Sequence, residues 1–237
     1  MRKITLDEGN TSVKLALFDN DTLVSKYNNI DLNFVIKLLP KCDRLILSTV
    51  KNKSNFKTLF SNKNFVLLNN STPLPIKILY KSPTSLGNDR IALAVGAITN
   101  FPNKNVLVID AGTCITYDLI NSKKEYLGGS ISPGIQMRYN ALHQFTSQLP
   151  LLECVDTAML TGVNTEESIH SGIINGVFVE IDGIIQRYKN QYPDIKVIVT
   201  GGNAKFFDKG LKNTIFAKPN LLMEGLNKIL DYNESYF

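Results

Sequence analysis

The stretch Ile4-Thr5-Leu6-Asp7-Glu8-Gly9-Asn10-Thr11-Ser12-Val13-Lys14 decides the fold, because Val106-Leu107-Val108-Ile109-Asp110-Ala111-Gly112-Thr113 repeats its logic. In each, an apolar strand ends on an aspartate and breaks at a glycine turn carrying threonine. Ile4 and Leu6 face one way, Gly9-Asn10 turns the chain, and Val13, Leu15 and Leu17 face one way again. This is a hairpin of half-buried strands. After the second turn, Ile115, Tyr117 and Leu119 alternate in the same manner. The recurrence predicts an α/β fold by internal duplication: two lobes of mixed sheets flanked by helices, with a cleft between them. The expected division is an N-terminal lobe over 1–104 and a C-terminal lobe over 105–237.

The remaining pattern fits this frame. Apolar residues at helical spacing cover 31–39, and 45–47 is a short buried strand. A helix is expected near 55–60, and strands over 65–68 and 76–80 flank a proline-rich connection. Helical propensity is strong from Asp89 onward despite Gly96. A third strand of the second half runs over 126–131, and Pro133-Gly134 introduces a helix to about 145. The longest helix, 165–188, places Ile169, Ile173, Val177, Ile181, Ile184 and Tyr188 on one face. Asn164 with Glu167 resembles a capping box at its start. A strand over 197–199 ends in Thr200-Gly201-Gly202, and a helix over 221–230 closes the chain.

Composition excludes several classes. The chain has 237 residues, 43% hydrophobic and 20% charged, ordinary for a globular protein with a sizeable core. Its 26 basic and 21 acidic residues give +5, with the lysines scattered singly rather than in runs. Such a surface argues against nucleic-acid binding. Three cysteines without a C-x-x-C pair fit a reducing compartment, and the two histidines make no zinc site with them. No stretch approaches the ~20 apolar residues that span a membrane, and no leader-like segment opens the chain. The expectation is a cytoplasmic protein with neither membrane nor nucleic-acid partner.

The glycine turns have a chemical use. Glycine lets the backbone approach a phosphate closely, while amides and a threonine hydroxyl donate to its oxygens. An aspartate tolerates phosphate only with a cation between them, so Mg²⁺ or a monovalent ion is implied. Lys14 adds a point charge. Either turn alone is an ordinary hairpin turn; both, with Gly201-Gly202 after a third strand, favour nucleotide binding. No G-x-x-x-x-G-K-[ST] occurs, and no G-x-G-x-x-G opens a helix.

Leu86-Gly87-Asn88-Asp89-Arg90 is the second constellation. An acid in the first turn of a helix is favoured by the macrodipole, which gives Asp89 a bland reading. Arg90, one of five arginines, is less bland, because a cation at a helix start is disfavoured and its fork suits carboxylate or phosphate. Asp89 could then accept a proton from a substrate hydroxyl attacking the γ-phosphate of ATP.

Two lobes with paired turns resemble the superfamily of sugar kinases, acetate kinases, actin and heat-shock chaperones, whose lobes are actin-like (ribonuclease H-like). The chain further resembles type III pantothenate kinases through nearly its whole length. The segments are the 7–14 turn, Tyr80 ahead of Gly87-Asn88-Asp89-Arg90, and Asp110-Ala111-Gly112-Thr113. They continue with Gly128-Gly129-Ser130-Ile131-Ser132-Pro133-Gly134, Thr146 with Leu149-Pro150, Asn164-Thr165 with Gly172, and Thr200-Gly201-Gly202. The resemblance implies ATP-dependent phosphorylation of pantothenate to 4'-phosphopantothenate, first step toward coenzyme A. It also implies a homodimer, Mg²⁺ and a monovalent cation, K⁺ or NH₄⁺. By motif position, Asp7, Glu8, Gly9, Asn10, Thr11, Ser12, Val13, Lys14 and Thr113 bind ATP, and Asp110 holds the monovalent cation. Asp89 is the catalytic base. Tyr80, Gly87, Asn88, Asp89, Arg90 and Thr165 bind pantothenate.

Three positions depart from the family pattern. Glu8 puts an acid inside the first phosphate turn and must point away from phosphate. Asn203 replaces a commoner aspartate, and Phe145 is larger than expected. Gly172 and Gly176 suit either a dimer seam or close packing within the subunit. The competing function is a non-catalytic nucleotide-binding regulatory or accessory protein on the same fold. Such a protein has no chemical need for Tyr80, Asp89, Arg90 and Thr165 together.

Overall fold

The computed structural model describes the chain apart from residues 52, 62–64, 208–209 and 235–237 and the side chains of 59–61. In chain order the elements are β1 (Arg2–Glu8), β2 (Val13–Asp19), β3 (Thr22–Asn28), α1 (Leu32–Leu38), β4 (Arg44–Thr49), β5 (Phe65–Leu67) and β6 (Lys77–Ile78). Then follow α2 (Asn88–Asn100), β7 (Val106–Ala111), β8 (Cys114–Ile120), β9 (Glu125–Pro133), α3 (Ile135–Gln144) and α4 (Thr165–Gln191). The last are β10 (Lys196–Thr200), α5 (Ala204–Phe207), β11 (Phe216–Ala217) and α6 (Leu221–Tyr232). The segment 55–61 is a 3₁₀ helix.

Two compact units result. One comprises Met1–Asn103, Ile120–Gly128 and Asn220–Phe237; the other comprises Lys104–Leu119 and Gly129–Pro219. A single cut between residues 104 and 105 therefore follows the order of the sequence but not the packing of its last helix, which belongs with the first unit.

In the first unit the sheet order is β3-β2-β1-β4-β5. β1 pairs antiparallel with β2 and parallel with β4. It is the central strand and is buried on both faces from Lys3 to Glu8. Ile4 and Leu6 join Leu15, Leu45, Leu47 and Val35 in one core. The opposite face carries Lys3 and Thr5 toward α6: Lys3 pairs with Asp231, and Thr5 Oγ1 lies 3.3 Å from Met223 Sδ. The alternation that suggests half-buried strands thus holds a second, polar row that is also covered.

α2 and α6 pack closely enough to require glycine. A Cβ on Gly225 would sit 1.8 Å from the Ala92 carbonyl oxygen, and one on Gly96 would sit 2.6 Å from that of Leu221. Gly96 therefore has a packing reason inside a helix it weakens. Gly225→Ala is expected to destabilise by about 1–3 kcal/mol, the cost of overpacking, measurable as a lowered denaturation midpoint with an unchanged slope.

The second unit repeats the plan. β10 lies parallel to β7 as β4 lies parallel to β1, and the hairpin partner β8 follows β7. The second sheet runs β11-β10-β7-β8-β9-β6, of which β6 and the start of β9 group with the first unit. Leu107, Ile109, Tyr117, Val197 and Val199 form a core against α3 and α4. On length and composition α4 is apolar enough to cross a membrane, contrary to the expectation that no stretch approaches this. Its isoleucines 169, 173, 174, 181 and 185 fill this core, as those of a core helix do. Asn164 caps α4, accepting from the Glu167 amide at 2.9 Å, while Glu167 accepts in return from the Val163 amide at 3.0 Å. A Cβ on Gly172 or Gly176 would meet nothing within 4 Å, so packing among the described residues does not explain these glycines.

Candidate active site

Strand register dictates what the first turn can do. Asp7 pairs with Lys14 and Glu8 with Val13, so residues 9–12 close the hairpin, and the Gly9 amide donates to the Ser12 carbonyl at 3.1 Å. Successive strand side chains point to opposite faces, which separates the two acids. Asp7 lies on the face of Lys3 and Thr5. Ser48, its partner across the parallel register, donates from Oγ to Asp7 Oδ1 at 2.9 Å. Glu8 instead accepts from Thr49 Oγ1 at 2.8 Å and pairs with Lys51 Nζ at 3.5 Å. The unusual acid is thereby committed to the end of β4.

Asp7 is only 5% exposed. Burial pushes its carboxyl up to about 6; the bond from Ser48 opposes this, the Asp89 charge adds to it, Lys14 lowers it and Glu8 raises it slightly. A buried carboxylate facing a second one is under-compensated, and a hard cation with oxygen ligands would relieve it. The donor set therefore fits Mg²⁺, which needs only one or two carboxylates beside phosphate oxygens. Among the described residues no group of three or more His, Cys, Asp or Glu gathers as a metal cage.

Asp89 is the second residue of α2 and half-buried. Its Oδ1 accepts from the Arg90 amide at 2.8 Å, at the positive end of the α2 dipole. A Cβ on Gly87 would fall 2.3 Å from that same oxygen, so glycine is what leaves the carboxylate its position. Asn88 Nδ2 donates to the Leu68 carbonyl at 2.9 Å, tying the start of α2 to the end of β5. The Arg90 guanidinium is 5.9 Å from the centroids of both Tyr80 and Tyr126. Those two rings meet edge-on at 6.1 Å, and a Cβ on Gly128, whose φ is +113°, would lie 3.4 Å from the Tyr80 ring. Tyr80 is thus one wall of a cation–π cradle for Arg90. Tyr126, the other wall, was read from sequence only as a strand residue.

In the second unit Asp110 stands opposite Thr200 in the parallel register, as Asp7 stands opposite Ser48. Glycines clamp this turn. A Cβ on Gly201, at φ +95°, would lie 2.4 Å from Asp110 Oδ1, and one on Gly134 would lie 2.3 Å from the Thr113 carbonyl oxygen. Asn203 contributes its backbone, donating to the Ala111 carbonyl at 2.9 Å, so its side-chain identity matters little there. Thr165 opens α4 and lines a cavity of about 1040 Å³ with Arg138, Phe145, Thr146, Leu149 and Gly172. Residues scattered over the second half of the sequence thus meet at one cavity, with Phe145 80% exposed at it. Both histidines serve packing: His143 Nδ1 is 2.8 Å from the Leu149 carbonyl, and His170 Nδ1 is 2.7 Å from the Tyr139 hydroxyl.

The expected site residues thus divide between the two units. Asp7, Lys14, Tyr80, Asp89 and Arg90 belong to the first; Asp110, Thr113 and Thr165 belong to the second.

Similarity to solved structures confirms the fold. A Campylobacter jejuni protein assigned as a Baf family transcriptional activator is 21% identical, with a TM-score of 0.67 over 98% of this chain and 99% of its own. A Sinorhizobium meliloti protein assigned as a 2-dehydro-3-deoxygalactonokinase is 11% identical, with a TM-score of 0.65 over the same shares. At such identities the likeness speaks for the fold and for nothing finer. Sequence similarity goes further. The type III pantothenate kinase of Christiangramia forsetii is 42% identical over 240 residues, covering 98% of this chain and 99% of that one. The family model for type III pantothenate kinase matches residues 3–187. The chain belongs to the type III pantothenate kinase family.

Proposed function

We propose that the protein transfers the γ-phosphoryl group of ATP to the primary hydroxyl of pantothenate, giving 4'-phosphopantothenate for coenzyme A synthesis. The observation that carries this reading is the pairing of Asp7 and Asp89. One acid is buried at a phosphate-type glycine turn, and the other is held half-open at a helix start within its electrostatic reach. The amides of residues 10–12, the Thr11 hydroxyl and Lys14 hold phosphate oxygens. Mg²⁺ bound at Asp7 would neutralise charge developing on the transferred group. Asp89 accepts the hydroxyl proton at its free oxygen and orients the nucleophile, a contribution of about 10²–10⁴-fold. Arg90 and Tyr80 hold the substrate end, with Thr165 as a further pantothenate contact. In the second unit, Asp110 would hold K⁺ or NH₄⁺ and Thr113 would contact ATP. Tyr80, Asp89 and Arg90 standing together favour catalysis over a nucleotide-binding regulator on the same fold.

The enzyme acts as a cytoplasmic homodimer in this reading. α4 and the loop before it present Met159, Leu160, Val163 and Val179, each between 71% and 86% exposed, beside the open Gly172 and Gly176. Such an apolar face on a soluble protein calls for a cover. Val179→Glu is expected to convert dimer to monomer in sedimentation; an unchanged dimer would place the seam elsewhere. The function is tested by ADP release with and without pantothenate, in K⁺, NH₄⁺ and Na⁺. Release that ignores pantothenate would sink the assignment.

A further inference from the structure

One charged network in the second unit has no part in the reading above. Glu180, midway along α4, accepts from the buried Tyr117 hydroxyl at 2.8 Å and, through its other oxygen, from Arg138 Nη2 at 2.5 Å. The same guanidinium donates from Nη2 to Ser132 Oγ and from Nε to the Pro133 carbonyl, both at 2.9 Å. The Ser132 hydroxyl also bonds Glu180. Strands β8 and β9 and helices α3 and α4 therefore converge on one carboxylate. Burial pushes that carboxyl up, but the bonds from Arg138, Ser132 and Tyr117 outweigh it and hold Glu180 below the usual range.

What the network grips is the chain immediately before Gly134. The Gly134 amide donates to the Thr113 carbonyl at 3.1 Å. Its Cα packs so closely that a Cβ there would lie 2.3 Å from that oxygen and 2.5 Å from the Gly112 carbonyl oxygen. Residue 134 cannot move toward the 110–113 turn without displacing it, nor away without breaking its bond to the Thr113 carbonyl.

We propose that Arg138 and Glu180 are positioning residues: by fixing Ser132-Pro133 they hold Gly134 against the turn and so aim Asp110 and Thr113. The inference rests on the proposed ATP and cation roles of that turn. Arg138 touches neither reacting group; it acts through backbone. Tyr117 only steadies Glu180, because the Arg138 pair survives without its hydroxyl.

The test compares wild type with Glu180→Gln, Arg138→Ala and Tyr117→Phe. Steady-state kinetics gives KM for ATP and pantothenate and the NH₄⁺ concentration for half-maximal rate; calorimetry gives ATP affinity with and without NH₄⁺; thermal melts report folding. Glu180→Gln keeps shape but loses the charge that anchors Arg138. It is expected to raise the ATP KM and the NH₄⁺ requirement roughly tenfold, the scale of a small misplacement, with pantothenate KM within about twofold. Arg138→Ala should do the same, and Tyr117→Phe should stay near wild type. Should Arg138→Ala fail to fold, Glu180→Gln still decides. Unchanged ATP affinity and NH₄⁺ dependence in Glu180→Gln would overturn the proposal. So would a rise confined to pantothenate KM, which would make Arg138 a direct substrate contact. If wild type binds ATP but does not phosphorylate pantothenate, the kinase reading fails while the ATP titrations still judge this one.

Discussion

Asp89→Asn is expected to bind ATP with wild-type affinity and to lose about 10²–10⁴-fold in kcat, the usual worth of a general base. Asparagine has the same shape and can still accept from the Arg90 amide, the bond that holds the Asp89 side chain at 2.8 Å. What it cannot do is take a proton. Because Asp89 is half-buried at a helix start, its replacement should leave the fold intact apart from a loss of about 0.3–1 kcal/mol in helix-dipole interaction. Calorimetric titration with ATP and steady-state rates separate the two effects. Wild-type turnover would remove Asp89 from the chemistry, and lost ATP binding would make it a nucleotide ligand instead.

The second large effect has two parts of opposite sign. Asp7→Asn should abolish turnover by removing the proposed metal ligand, yet stabilise the ligand-free protein at neutral pH. Asp7 ionises near 3.8 when unfolded and near 6 when folded. Between those values the folded chain keeps a proton that the unfolded chain has released. Stability therefore falls as pH rises from about 4 to about 6, and the full penalty persists above that. About two pKa units correspond to at most ~3 kcal/mol. The Asn variant should gain that much above pH 6 and nothing below pH 4, read from thermal melts across the range. Melting curves that differ by the same amount at every pH would refute the buried-charge explanation.

The sequence disclosed most where chemistry and backbone geometry coincide. An aspartate followed by a glycine turn with threonine, after an apolar strand, is legible because few residues tolerate a tight turn beside phosphate. Both such turns formed as hairpins, and the register repeats in each unit: Asp7 beside Ser48, Asp110 beside Thr200. β1 was less legible. Its alternation suggested a solvent-facing polar row, but α6, nearly the whole chain away, covers Lys3 and Thr5. That contact leaves no local mark. β3 went unread because its burial alternates weakly between exposed and intermediate positions, without a strong apolar row. The strand expected over 76–80 shrank to two residues, since its edge position gives it only the start of β9 to pair with. Tyr126 could have been found through its strand position near Gly128, but its role depends on Arg90 arriving from another element. Glu180 and Arg138 carry no sequence signal, because nothing local joins a charge on α3 to one on α4.

The direct measurement for the central claim is identification of the product. Purified protein is incubated with ATP, Mg²⁺, pantothenate and NH₄⁺, and the small molecules are resolved by mass spectrometry and phosphorus NMR. The account predicts pantothenate carrying one phosphate ester on its primary hydroxyl, formed in step with ADP and absent in Asp89→Asn. Intact pantothenate after prolonged incubation with folded, ATP-binding wild-type dimer would contradict it.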